Sequence, residues 1–344
     1  MHPLLLPRAC GATLGPGTLR AQPEDFVVEE ELGFAPSGSG QHLLLRVRKR
    51  AANTRWIAGE LAKLAGCRTA DVGYAGMKDR HAVATQWFSI PRAPGSPRDW
   101  REARGADFEV LEAHIHSRKL PRGALAGNRF SVRVRDTTVA EDVLATRLAE
   151  IRERGVPNYF GPQRFGREGA NLARINAGLR ALRPRERGFV LSAARSLVFN
   201  AILAVRVEAG TWERLQAGDV ANLDGRGSVF PVDVPETSLV ERCARLEIHP
   251  TGALWGQGAP ASRGAVRELE ARCAGELPEA CRLLEEASLE QERRSLRLPV
   301  RDLEWQRDED GWLIQFRLAR GGFATVVLRE VFDIADSDQI ESST

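Results

Sequence analysis

Apolar and charged residues alternate near both ends of this 344-residue chain, and the pattern gives way in the middle to loops and helical stretches. Alternation with period two puts successive side chains on opposite faces of a pleated strand, so such strands need a sheet with one face covered. Over residues 128–136, Phe130, Val132 and Val134 share one face while Arg129, Arg133 and Arg135 share the other. Trp312, Ile314, Phe316 and Leu318 repeat the pattern close to the C-terminus. Shorter strands are predicted over 26–31 and over 42–48, where Leu45 and Val47 oppose Arg46 and Arg48. Val83, Thr85 and Trp87 continue as a strand, and Leu111, Ala113 and Ile115 oppose Glu112, His114 and His116. Helices are predicted over 54–65 ending at Gly66, over about 140–154 ending at Gly155, around 192–209, and between 263 and 294. Gly321-Gly322 predicts a hairpin turn with Phe323 at its tip. Strand-rich ends around a mixed middle predict one sheet built from both ends of the chain, 1–154 and 301–344, with a second domain inserted at about 155–300.

Composition removes several function classes. With 43% hydrophobic and 28% charged residues the chain is globular, and its length suits two domains. Three leucines between Pro3 and Pro7 are too few for a secretory segment, and no run is read as a membrane span of roughly 18 residues. Five cysteines, an odd number without CxxC spacing, argue against a disulfide framework or a zinc ribbon. The expected location is the cytoplasm. Four of the 49 basic residues are lysine, so arginine, whose planar fork suits phosphates, carries nearly all the positive charge. Nine arginines against Glu153, Glu168 and Glu186 fall within 152–187, whereas 330–344 holds five acids and no base. An anionic polymer fits that distribution as a partner; a solvated face is the plainer reading.

No GxxxxGK[ST] loop, strand-borne GxGxxG or GxSxG elbow occurs, which leaves phosphoryl transfer, hydride transfer and serine catalysis without support. Glu112, His114 and His116 share a strand face, but no second cluster has ligand spacing, so partly exposed structural histidines are expected there. Asp79 lies between Lys78 and Arg80, after Gly73 and Gly76. Flanking cations favour a charged, nucleophilic carboxylate, although the same trio suits a surface ion pair. Asn128 and Phe130 point the same way along a strand and offer an amide for a base edge and a ring for stacking; a core phenylalanine beside an amide fits equally. The segment NYFGPQRFG, 158–166, either binds a strand or packs as a turn. These residues supply a carboxylate, rings and arginine, and no single reaction.

Longer blocks are more specific. YAGMKDRHAVATQ (74–86) resembles the catalytic motif of the TruD family of tRNA pseudouridine synthases. The likeness extends through QPEDFVVEE (22–30), NTRW (53–56), RKLPRGALAGNRF (118–130), GVPNYFGPQRFG (155–166), LSAARSLVFN (191–200) and FRLARGGFAT (316–325). The resemblance implies an α+β fold: a permuted pseudouridine-synthase catalytic domain with a central mixed or antiparallel sheet, plus an inserted α/β TRUD domain. It implies isomerisation of uridine in tRNA at position 13 of the D-arm, with no cofactor, metal or nucleotide and no membrane. The family's essential aspartate falls on Asp79. Its substrate-contacting positions fall on Phe26, Asn128 and Phe323, and Lys78 and Phe130 line the site. Two positions depart from the pattern: Ala319 stands where proline is common and Gly322 where serine is. A monomer is expected, as no coiled-coil pattern occurs. The alternatives are an RNA-binding protein without catalysis, and a hydrolase pairing Asp79 with Glu24, Asp25 or Glu112.

Overall fold

The computed structural model describes residues 6–92, 99–166 and 169–336, so Arg167, Glu168 and the acids at 338 and 341 lie outside the described residues. The chain forms two compact units. One comprises Leu14–Leu144, Arg301–Gly321 and the strand beginning at Phe332; the other comprises 145–300, 322–331 and the described N-terminus as far as Thr13.

The first unit is organised by a nine-stranded sheet. Its order runs Arg301–Asp308, Gly311–Ala319, Gly127–Val134, Phe26–Glu31, Val83–Pro91, His42–Arg50, Phe108–His116 and Arg104–Gly105, with Gly73–Tyr74 also on Val83–Pro91. Both ends of the chain therefore meet in one sheet, at the register Phe316 opposite Phe130. The alternation is realised side chain by side chain: Phe130, Val132 and Val134 are buried, as are Trp312, Ile314, Phe316 and Leu318. Helix Thr54–Ala65 covers part of the sheet because Ile57, Ala58, Leu61 and Ala62 recur at three- and four-residue intervals on one side. Gly66, at φ +66°, takes the left-handed turn that closes it.

Two expectations change here. A register shift opposite Arg46 and Val47 interrupts the alternation of Phe108–His116 at Leu111; beyond it His114 and His116 share one face, where His114 is exposed and His116 is buried under its own cover. His116 accepts a hydrogen bond from the Ser37 N–H and stacks on Phe34. Phe323 is not at a hairpin tip: after Gly321-Gly322 the chain enters a short helix, Ala324–Leu328, with Phe323 at its N-cap and in the other unit.

The second unit is built around helix Pro184–Glu208. It begins eight residues before the expected Ser192, because Pro184 starts the helix while Arg185, Arg187 and Phe189 face solvent and carry no apolar stripe. At 25 residues it is long and apolar enough to cross a membrane by length and composition, which corrects the reading that no run approaches a span. Its apolar residues are core: Val190, Ala194, Val198 and Ile202 are buried with residues of Gly264–Gly275 and Pro278–Glu286. Arg206 on this helix is buried against Asp219, with two parallel bonds of 2.9 and 3.0 Å. Arg206→Met strands a buried carboxylate, and a loss of about 3–5 kcal/mol is expected in urea unfolding. A four-stranded sheet, in the order Val229–Val232, Asp219–Leu223, Ile248–Leu254 and Glu292–Ser295, completes the unit.

Candidate active site

Among the described residues the nine-stranded sheet has one parallel junction, where Phe26–Glu31 runs beside Val83–Pro91 with Val27 opposite Val83. The loop that enters Val83 carries Asp79, so the aspartate emerges beside the start of both strands. Its backbone is held from three sides. Gln86 Nε2 donates to the Gly76 carbonyl at 2.7 Å. The Lys78 N–H donates to Thr54 Oγ1 at 3.0 Å, and the Thr54 hydroxyl donates to Gln86 Oε1 at 3.1 Å. Lys49 Nζ donates to the carbonyls of Asp79 and Ala52, at 2.8 and 2.7 Å. A short loop fixed by this many side chains keeps its carboxylate aimed without substrate.

The Asp79 side chain is 49% exposed and accepts a bond from Arg20 Nη2 at 3.1 Å. Arg20 has φ +56°, a region that costs a non-glycine residue about 1 kcal/mol or more, and its guanidinium lies 4.3 Å over the Phe26 ring. Lys78 turns inward. Its Nζ lies 2.9 Å from Glu30 Oε1 and donates to Asn128 Oδ1 at 2.6 Å. Glu30 is buried, and its second oxygen accepts from the Trp87 N–H at 2.9 Å. This buried ion pair fixes the Asn128 amide, whose nitrogen has no hydrogen-bond partner among the described residues and remains available as a donor.

Phe26 and Phe130 meet edge to face at 6.1 Å, and Phe130 stacks on Phe316 at 5.5 Å. Both rings are buried, and Phe26 lies under the Arg20 guanidinium that pairs with Asp79. Asp79, Lys78, Asn128, Phe26 and Phe130 thus fall in one unit, whereas Phe323 belongs to the other. There its ring lies 6.3 Å from Phe160 and beneath the Arg164 guanidinium. NYFGPQRFG packs as a loop: Tyr159, Phe160 and Phe165 are buried, and Asn200 bonds both the N–H and the carbonyl of Phe160. Arg294 lies 4.1 Å over Phe160, and burial beside the Arg164 charge pushes its guanidinium down to about 9.

The possible second carboxylates are engaged elsewhere. Glu24 pairs with Arg50, buried Asp25 with Arg135, and Glu112 with Arg46 and His114. Of the arginines between 152 and 187, Arg154 is bound to Glu213 and Arg174 to Glu186, so these serve the fold. Arg20, Glu30 and Lys49 are site residues that the motifs alone did not single out.

Burial lowers the Lys49 ammonium from its ordinary 10.5 to about 8, with nearby Lys78 acting the same way and Asp79 and Glu30 opposing. Between about pH 8 and 10.5 the unfolded chain holds this proton and the folded chain does not, so the group's contribution to stability rises with pH over that window. Its effect on the site has the opposite sense. Above pH 8 the cation behind the Asp79 backbone is lost, and a fall in kcat is expected that Lys49→Arg moves to higher pH. Parallel kcat–pH profiles of the two proteins check this.

A family model described as tRNA pseudouridine synthase D (TruD) matches residues 12–175 and 170–331. The chain belongs to the TruD family. A tRNA pseudouridine synthase D of Methylococcus capsulatus is 46% identical, covering 95% of this chain and 94% of its own. Relatives carrying that name in Nitrosococcus oceani and Pseudomonas aeruginosa are 44% and 43% identical, over 92% and 98% of this chain and 91% and 97% of theirs. A crystal structure described as a TruD of Methanosarcina mazei superposes with a TM-score of 0.70 at 22% identity, covering 98% of this chain and 97% of that one. At that identity the likeness concerns the TruD fold. The matched residues include Asp79, Arg20, Lys78, Asn128 and Phe323.

Proposed function

We propose that this protein isomerises uridine to pseudouridine in tRNA, at position 13 of the D-arm, with Asp79 acting at the ribose of a uridine drawn out of the RNA. The observation that carries the reading is the half-exposed Asp79 carboxylate, paired to Arg20 on a loop fixed by Lys49, Thr54 and Gln86. The full-length match to enzymes of that name gives it its substrate. Residues 1–154 and 301–344 are assigned to the catalytic domain and 155–300 to the inserted TRUD domain, with 145–154, 322–331 and the N-terminus as far as Thr13 belonging to the compact unit of the latter. The protein acts as a monomer in the cytoplasm; five free thiols fit a reducing compartment.

In the isomerisation the N1–C1′ bond breaks, the uracil turns, and a C5–C1′ bond forms. C5 gives up a proton and N1 gains one, so the reaction balances without a metal, nucleotide or redox cofactor. Asp79 attacks C1′ or assists a glycal-type intermediate; both routes need an ionised carboxylate at the sugar. The detached uracil has to turn without escaping. The Asn128 amide held by Lys78 and the rings of Phe26 and Phe130 are assigned to that task. Drawing the base out costs a few kcal/mol of stacking, which arginine–phosphate contacts offset. Exposed Arg180, Arg183 and Arg185 suit such contacts.

Tritium release from tRNA labelled at uracil C5 tests the function. Release by the purified protein without added metal or nucleotide is expected. No release despite tight tRNA binding would make this an RNA-binding protein without catalysis.

A further inference from the structure

At the start of the segment that ends in Asp79 lies a cavity of about 620 Å³. Its walls include Arg55 from the first turn of helix Thr54–Ala65, Thr69, Gly73 and Tyr74, and Lys119 and Arg122. Three cations face this space, and among the described residues no carboxylate lines it. Several neighbouring arginines of the unit are matched by carboxylates: Arg48 with Glu109, Arg50 with Glu24, Arg68 with Asp71, Arg101 with Asp99. Arg55 and Arg122 are exposed and make no ion pair among the described residues. Arg122 is steadied by the Tyr74 ring, 4.2 Å below its guanidinium. Lys119 donates one N–H to the Ala70 carbonyl and keeps two for a ligand.

The cavity wall is rigid and continuous with the Asp79 loop. A Cβ on Gly73 would sit 2.7 Å from the Leu120 carbonyl oxygen and 2.4 Å from Ser89 Oγ, so glycine is what lets the 119–120 segment cross so closely. The Leu120 N–H donates to Ser89 Oγ at 2.8 Å, and the Gly123 N–H to the Ala75 carbonyl at 2.7 Å. Asp79 follows Ala75 in the same segment, and the span from Tyr74 to Asp79 reaches at most about 18 Å when extended. A few nucleotides cover that distance.

We propose that this cavity is a phosphodiester subsite, which takes a backbone phosphate of the substrate RNA a few nucleotides from the target uridine through Arg55, Arg122 and Lys119. The assignment rests on the tRNA reading above. It combines two things a phosphate site requires, unneutralised guanidinium forks and a wall that holds them in place. Because that wall is bonded to Ala75, a phosphate seated there helps to register the uridine against Asp79.

The test measures tRNA affinity over a range of salt concentrations, using protein that carries Asp79→Asn so that no turnover intervenes. Adding Arg55→Gln with Arg122→Gln is expected to weaken binding about tenfold or more and to lower the slope of log affinity against log salt by about two. Lysine at both positions restores the slope, and Arg101→Gln, at an arginine matched elsewhere, changes neither quantity. Unchanged affinity and slope in the glutamine double variant overturn the proposal. Pseudouridine formation by the unaltered protein, assayed separately, decides the function itself, so the two failures are distinguishable. Uridine 5′-monophosphate serves as the small probe in calorimetry. If the double variant loses the mononucleotide while tRNA affinity stays unchanged, the cavity holds a free nucleotide and the RNA subsite is excluded.

Discussion

Asp79→Asn is expected to lower pseudouridine formation by at least about 10⁴-fold, equivalent to about 5 kcal/mol of transition-state stabilisation, while tRNA affinity stays within about threefold. The reasoning is geometric. The Asp79 loop is secured through the carbonyls of Gly76 and Asp79 and the N–H of Lys78, none of which belongs to the carboxylate. Asparagine therefore leaves the loop in place and removes only the anion proposed to act at the sugar. The Arg20 guanidinium retains an oxygen to bond, and its seat over Phe26 is unaffected. Single-turnover assays beside filter binding separate the two quantities. A variant that bound tRNA a hundredfold more weakly would place Asp79 in recognition rather than chemistry.

The second large effect concerns the buried pair below. Lys78→Met leaves the Glu30 carboxylate in the core without its cation, and a loss of about 3–5 kcal/mol is expected. Adding Glu30→Gln removes the stranded charge, so the double variant should be more stable than Lys78→Met alone. That inversion is the signature of a coupled buried pair, because independent sites would give a double variant weaker than either single one. Urea unfolding of the three proteins measures it. Both variants should also lose turnover, since Asn128 Oδ1 is left without the donor that orients it.

Much of this was legible in the residues, and the boundary falls where contact replaces period. The two-residue alternation located the central strands and their buried faces, and the recurrence of Ile57 and Leu61 located a helix. The same alternation carried a signal about the site. Lys49 falls on the face of Leu45 and Val47, and Glu30 on the face of Phe26 and Val28; a charge in an apolar row marks a buried ionisable group. Lysine usage pointed the same way: in a chain with only four lysines, Lys49 and Lys78 both stand beside Asp79, where a compact ammonium bonds two acceptors at once. Arg20 was out of reach, because its approach to Asp79 depends on a left-handed backbone that nothing in its neighbourhood announces. The parallel junction was equally hidden, since pairing partners distant in sequence are chosen by the whole sheet. The burial of His116 comes from Phe34 and Ser37, residues distant in sequence that no single strand encodes.

The most direct measurement maps pseudouridine by carbodiimide modification and reverse transcription on a tRNA transcript incubated with the purified protein. A new stop at position 13 of the D-arm, absent with Asp79→Asn, is the result predicted here. Stops elsewhere would move the target while keeping the chemistry. No stop anywhere, with free uracil released into solution, would contradict isomerisation at Asp79 and indicate hydrolysis of the glycosidic bond.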